Sequence, residues 1–185
     1  MRKRLSEMTL EELWELFPIR LCSHNRCWRS WYDEEHDALL KRLPFGTRIY
    51  HIGSTAIETI WAKPIVDLLI EVNSDEISCV DKIITDSGYI CMNVEADRRD
   101  YNKGYTENGF AERVFHLHLR IIGDHDELYF RDYLIAHPDI ARDYETLKLS
   151  LWKKYEHDRD GYTNAKHAFI TKWTQKAKQE YANRY

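Results

Sequence analysis

The chain has 185 residues, of which 43% are hydrophobic and 31% charged, with a net charge of −4. That length suits one compact domain with a real core. The acid excess excludes a broad basic nucleic-acid surface and leaves room only for a local basic groove. Four cysteines, Cys22, Cys27, Cys79 and Cys91, are too sparse for a disulfide-stapled secreted fold. The basic start Met1-Arg-Lys-Arg-Leu5 runs into Glu7, Glu11 and Glu12 rather than an apolar stretch, so no signal peptide is expected. No run approaches the ~20 apolar residues of a membrane span, and a reducing cytoplasm is the expectation.

Thr9-Leu-Glu-Glu12 is a capping-box pattern and predicts a short helix within an N-terminal helical extension over residues 1–25. Cys22-Ser-His24-Asn-Arg-Cys27 carries half a zinc donor set without an obvious second half. A longer helix is expected from Arg26 to Leu43, with Trp28, Trp31, Tyr32, Leu39, Leu40 and Leu43 as its apolar stripe and Pro44-Phe-Gly46 as its stop. Ile49 to Val72 then reads as a strand, a Gly53-Ser54 turn, a short helical or irregular connection and a second strand from Pro64. In that second strand Val66, Leu68, Ile70 and Val72 share one face, and Ile65, Asp67, Leu69 and Glu71 the other. A carboxylate in so apolar a strand is costly unless it meets water, a cation or a ligand. Asp67 is therefore a candidate functional residue.

Ser74 or Asp75 can cap a helix through Ile77, Val80, Ile83 and Ile84 that ends before Gly88. Tyr89 to Val94 reads as a third strand. The charge-rich stretch Glu95 to Asn108 reads as a mobile loop whose Arg98, Arg99 and Lys103 are either solvated surface or contacts for an anion. Phe110 to Ile122 is another strand, with Ala111, Phe115, Leu117, Leu119 and Ile121 on one face and Glu112, His116, His118 and Arg120 on the other. Two histidines two residues apart suit metal binding, proton transfer or phosphate contact, or simply a polar, half-exposed sheet face.

Helices complete the chain. One is capped by Asp124 and stops at His137-Pro138. The next opens with Pro138 and turns Ile140, Tyr144, Leu147, Leu151 and Tyr155 inward. After a polar loop over 158–162, Thr163 caps the last, which places Lys166 in a first turn, either contacting a phosphate or facing solvent. No repeat or linker divides the chain. One α+β domain over residues 1–185 is expected, with a small sheet in the middle and helices on either side.

His51-Ile-Gly-Ser-Thr-Ala56 and Ala62-Lys-Pro-Ile-Val-Asp-Leu-Leu69 are followed in order by four further segments. These are His116-Leu-His-Leu119, Phe130-Arg-Asp-Tyr-Leu134 with His137-Pro138, Tyr144-Glu-Thr-Leu-Lys148, and Tyr162-Thr-Asn-Ala-Lys166. Together they resemble the GrpB-like family from about Trp28 onward. The resemblance implies a nucleotidyltransferase-superfamily fold, a mixed central sheet flanked by helices, and it fixes the fold better than the chemistry, because the family has no well-established reaction. It also implies kinship with domains attached to a coenzyme A biosynthetic kinase in some bacteria, for which a regulatory or folding-helper role has been proposed. In superfamily enzymes the Gly-Ser turn contacts a triphosphate, and two acids two residues apart on the next strand hold a divalent metal. Here Leu69 stands in the place of the second acid, and Glu71 lies about 13 Å along the strand from Asp67. Glu58-Thr59 also departs from the family's usual Pro-Gly in the connecting loop.

Three readings of function follow. In the first, the chain is a nucleotidyl- or phosphoryl-transfer enzyme with Asp67, His116 and His118 as its catalytic set. Gly53, Ser54, Lys63, Arg131 and Lys166 would hold phosphate. Asp67 with Glu71 or His118 would hold Mg²⁺, or Mn²⁺ or Zn²⁺ where imidazole contributes, and His116 would act as general base or acid. In the alternative, the chain is a non-catalytic module that binds a nucleotide or coenzyme-like metabolite and acts on a protein partner. A third reading, an interaction domain that merely inherits the fold, leaves the His-x-His-x-Arg face without a purpose.

Overall fold

The computed structural model describes residues 3–182 and 184–185. Thr9 closes the expected capping box, accepting from the Glu12 amide at 3.3 Å while Glu12 accepts from the Thr9 amide at 2.9 Å, and starts α1 at Leu10–Leu16. α2 follows at Cys27–Leu40 with Trp28, Tyr32 and Leu39 buried. Next come β1 at Arg48–Ile52, a 3-10 turn at Ser54–Ala56, β2 at Val66–Val72, α3 at Ile77–Thr85 and β3 at Ile90–Val94. β4 at Arg98–Thr106 and β5 at Gly109–Ile121 precede three helices, α4 at Asp126–Ala136, α5 at Pro138–Trp152 and α6 at Arg159–Glu180. Among the described residues no helix is long and apolar enough to cross a membrane.

The class is α+β with one mixed sheet, as expected. Its five strands run in the order β1-β2-β5-β4-β3, with β2 and β5 parallel at the centre and every other pair antiparallel. Because side chains alternate along a strand, directly paired residues share a face. Asp67 lies opposite Ile52 on one side and His116 on the other, and His118 lies opposite both Leu69 and Asp100. The other face carries Val66, Leu68, Ile70, Phe115, Leu117, Leu119 and Tyr101. These join Trp28 and Leu39 from α2 and Val80 and Ile84 from α3 in the main apolar core. The C-terminal helices serve the opposite side. Leu128 of α4 packs on Ile52 and Leu69, and Leu134 and Tyr144 pack on Ile57 and Ile60 of the β1–β2 connection.

Three local expectations are corrected. The supposed loop over 95–108 contains β4, which pairs with β3 and β5, and its three basic residues meet partners distant in sequence. Arg98 pairs with Asp124 at 2.6 Å, Arg99 with Asp81 at 2.9 Å and Lys103 with Glu35 at 2.7 Å. Asp124 is thus occupied by Arg98 and does not cap α4, whose N-cap is His125. α6 begins a turn earlier than Thr163, capped by Asp158, which accepts from the Gly161 amide at 2.8 Å. Lys166 therefore sits well inside the helix, away from the terminal amides.

Candidate functional site

The site is built on the end of β1. Gly53 has φ +67°, and a Cβ there would overlap the Asp67 carboxylate. Only glycine lets the turn close over that side chain. The turn is braced from behind by His51, which stacks on Tyr32 at 4.7 Å and bonds Thr55 Oγ1 at 3.0 Å. Burial pushes His51 down to about 4, so it is a neutral brace facing α2.

Asp67 then meets both predicted histidines. His116 Nδ1 lies 3.2 Å from Asp67 Oδ1, and His118 Nε2 lies 3.9 Å from the same oxygen, within ion-pair range but beyond a hydrogen bond. The two rings differ. Burial outweighs the carboxylate at His116 and lowers it to about 4, whereas at His118 Asp100 and Asp67 together overcome burial and lift it to about 9. A neutral His116 donates from Nδ1 to Asp67 and accepts at Nε2 from the Tyr105 hydroxyl at 2.8 Å, which in turn accepts from Arg159 Nη2 at 2.8 Å. His118 is the cation between two carboxylates, giving its Nδ1 proton to Asp100 at 2.8 Å. Burial would raise Asp67, yet the two histidines hold it well below the usual carboxylate range. Arg120 closes the row, bonding Asp100 at 2.9 Å and Glu127 at 3.2 Å.

Above this row is a cavity of about 590 Å³ walled by the Gly53–Ser54 turn, Asp67, His118, Lys63 and the facing sides of α4, α5 and α6. Its charges can be accounted for one by one. Arg98 pairs with Asp124, Lys178 with Asp126, Glu127 with Arg120 and Arg131 with Asp132. What is left is Lys63, Lys148 and Lys166, none of which has a carboxylate partner among the described residues. Lys148 donates to Ser54 Oγ at 3.0 Å and to the Trp61 carbonyl. Burial, reinforced by neighbouring cations, pushes Lys63 and Lys148 down to about 7. Burial also lowers Lys166, to about 8, against the pull of Asp67.

The model of the GrpB protein family matches residues 18–176. The chain belongs to the GrpB family. Among GrpB relatives, the UPF0157 protein YqkA of Bacillus subtilis is 35% identical over 182 residues, which is 92% of this chain but 51% of YqkA, so the chain spans about half of that relative. The glutamate-rich protein GrpB of Alkalihalophilus pseudofirmus is 33% identical over 82% of this chain and 91% of its own length. Among solved structures, the conserved protein GrpB from Enterococcus faecalis superposes with a TM-score of 0.75 at 28% identity, covering 88% of this chain and 99% of that one.

Placed on this GrpB scaffold, the expected site residues separate into groups. Gly53, Ser54, Lys63, Asp67, His118, Arg131 and Lys166 all line the cavity. His116 lies behind Asp67 with both ring nitrogens engaged. Arg131 reaches the cavity, but its guanidinium already bonds the His51 carbonyl at 2.8 Å and Asp132 at 2.7 Å. Glu71, offered as a second metal ligand with Asp67, is instead buried against His125 Nδ1 at 2.5 Å. Leu69, in the place of a second acid, is fully buried between β1 and α4.

A hard divalent ion wants several oxygen ligands, and these residues do not supply them. Asp67 is the one carboxylate under the turn, its near neighbours are a histidine with no free nitrogen and an imidazolium, and among the described residues no three His, Cys, Asp or Glu side chains are grouped to hold an ion.

Further residues were not anticipated: Asp100, Tyr105 and Arg159 in the hydrogen-bonded row, and Tyr144, Lys148 and Tyr162 on the cavity wall. A signal for the last three was available. Tyr144-x-x-x-Lys148 and Tyr162-x-x-x-Lys166 repeat one spacing that stacks side chains on a helix. In both helices the ammonium lies over the ring, at 4.9 Å and 4.2 Å from its centroid.

Proposed function

We propose that this chain binds a phosphate-bearing small molecule, a nucleotide or a coenzyme-like metabolite, in the cavity between the Gly53–Ser54 turn and α5 and α6, without a divalent metal. The observation that carries this is the set of three lysines, from the β1–β2 connection, α5 and α6, that line one cavity and lack a carboxylate partner among the described residues. Enclosed amines whose charged form burial disfavours gain most when an anion arrives, because it favours that form and supplies hydrogen bonds together. Ser54 lines the same space and its hydroxyl already meets Lys148, so a phosphate resting there would find an ammonium and a hydroxyl side by side. Asp67, tied to His116 and His118, shapes the floor rather than acting as a metal ligand. This supports the non-catalytic module over metal-dependent nucleotidyl transfer.

The test is calorimetric titration with UTP, ATP, coenzyme A and pyrophosphate, each in EDTA and in Mg²⁺, on the native chain and on Lys148→Met and Lys166→Met. Saturable binding in EDTA that weakens at least tenfold in each lysine variant is expected. Binding that needs Mg²⁺ and is abolished in Asp67→Asn would restore the metal reading. No saturable binding of any probe would end the phosphate reading.

A further inference from the structure

A second, smaller cavity of about 160 Å³ shares Lys63 with the first but is not lined by the Gly53–Ser54 turn. Its walls are mainly apolar: Phe17, Ile19 and Pro64, with Phe110 and Val114 from the start of β5. Phe17 is held there by tilted contacts with Tyr105 at 4.7 Å and Phe110 at 5.1 Å. The segment carrying it is pinned by the Ile19 amide to the Glu156 carbonyl at 2.7 Å and by the Trp152 indole to the Ile19 carbonyl at 2.6 Å. An apolar cavity of about 150 Å³ accepts a benzene-sized body, so this one has room for a six-membered ring or a short alkyl chain.

Charge is uneven on its rim. Lys63, Arg159 and Arg20 are the cations, and Glu112 is the one acid. Among the described residues neither Lys63 nor Arg159 has a carboxylate partner, and the hydrogen bond found for the Arg159 guanidinium goes to the Tyr105 hydroxyl at 2.8 Å. An arginine with a free edge beside a lysine, at the mouth of an apolar cavity, is a seat for a carboxylate with a hydrocarbon body.

We propose that this cavity is a distinct binding site for a small apolar carboxylate, seated on Arg159 and Lys63 with its body against Phe17, Phe110 and Val114. Lys63 lines both cavities, and Arg159 reaches Asp67 through Tyr105 and His116. Occupation of the second cavity therefore weakens anion binding in the first. The site stands by itself, and only this coupling rests on the phosphate reading above.

The experiment uses benzoate on the full chain without phosphate, read by calorimetry and ligand-observed NMR at constant ionic strength, with benzamide as the uncharged isostere. Saturable benzoate binding at least tenfold tighter than benzamide is expected. It should be at least tenfold weaker in Arg159→Gln and in Val114→Phe, which fills the cavity from its wall, and retained in Lys148→Met. Should Arg159→Gln not fold, by circular dichroism, Val114→Phe alone decides. Benzoate that binds no better than benzamide, or that binds equally well when the cavity is filled, overturns the site. Pyrophosphate titrations with and without saturating benzoate then read the coupling: a several-fold loss of affinity is expected, and an unchanged affinity overturns it.

Discussion

β2 and β5 give alternate residues to opposite faces of the sheet, and the two faces handle burial by different means. On the α2–α3 side, Leu68, Ile70, Leu117 and Leu119 are fully enclosed by other apolar side chains. Any residue there contributes through area and shape, so its neighbours are interchangeable in kind. On the opposite side Asp67, Glu71, His116, His118 and Arg120 are each tied to a named partner. A buried charge is tolerable only when paired, which leaves the unpaired lysines facing the cavity as the exception. One face is a core that tolerates averaging, and the other is a set of pairwise agreements with three members left over.

The sharpest way to separate the faces is to damage the apolar one. Leu117→Ala should cost about 3 kcal/mol in chemical denaturation, the usual toll of a large cavity in a core, while phosphate-ligand affinity in the surviving folded protein changes by less than threefold. Equal losses in both would mean the faces are not independent. Gly53→Ala should do the reverse, costing about 2 kcal/mol through strain at a left-handed position but reducing affinity at least tenfold, because the new methyl displaces Asp67 from under the turn. Full retention of binding would show that the turn does not shape the site.

A pH series addresses the unpaired lysines. Lys63 and Lys148 titrate near 7 and Lys166 near 8 in the folded chain, against 10.5 when unfolded. Between those values the unfolded state holds more protons, so these groups make stability rise with pH from about 7 to about 10. His118, raised from 6.5 to about 9, works in the opposite sense, its contribution being lost as pH climbs through that window. Three groups against one predicts a net rise, smaller in the Lys63→Met Lys166→Met double variant. Saturating pyrophosphate should flatten it by restoring charge to the amines. The measurement is urea unfolding at each pH, and a slope identical in wild type and double variant would count against enclosed, uncompensated lysines.

The smallest effect concerns Tyr162, whose ring is buried on the cavity wall and whose hydroxyl has no hydrogen-bond partner among the described residues. Tyr162→Phe should leave the ligand-free protein as stable as before, or slightly more so, since an unmade buried bond is removed. Ligand affinity should fall three- to tenfold if that hydroxyl serves the ligand. A loss of stability would mean that it has a partner inside the protein.

Much of this arrangement was legible in the residue pattern. The period of two set Asp67 on one face of β2 and both histidines on one face of β5, and the register then brings Asp67 directly opposite His116. What stayed hidden depended on partners distant in sequence. Arg98, Asp100 and Lys103 resemble a solvated loop until Asp124, His118 and Glu35 are seen to meet them, although Asn108-Gly109 is a hairpin signal that argued for a strand on either side. Glu71 looked like a companion for Asp67 on alternation alone, and nothing local revealed His125 as its real partner. Lys166 belongs to the cavity, but through its place within α6 and not through a helix terminus. The repeated Tyr-x-x-x-Lys spacing marks Lys148, but its place beside Ser54 depends on how α5 crosses the β1–β2 connection.

The contact between Gly53 and Asp67 also bears on how the sheet is assembled. β1 and β2 are antiparallel neighbours joined by a long irregular connection, which by itself imposes no register. A slip of one residue would set Ile52 or Ser54, each bearing a Cβ, where the carboxylate now fits, and would invert every side chain of β1. The gap left by one missing methyl group thus acts as a key for strand alignment, so that β1 and β2 can pair correctly only in the arrangement that also forms the floor of the cavity.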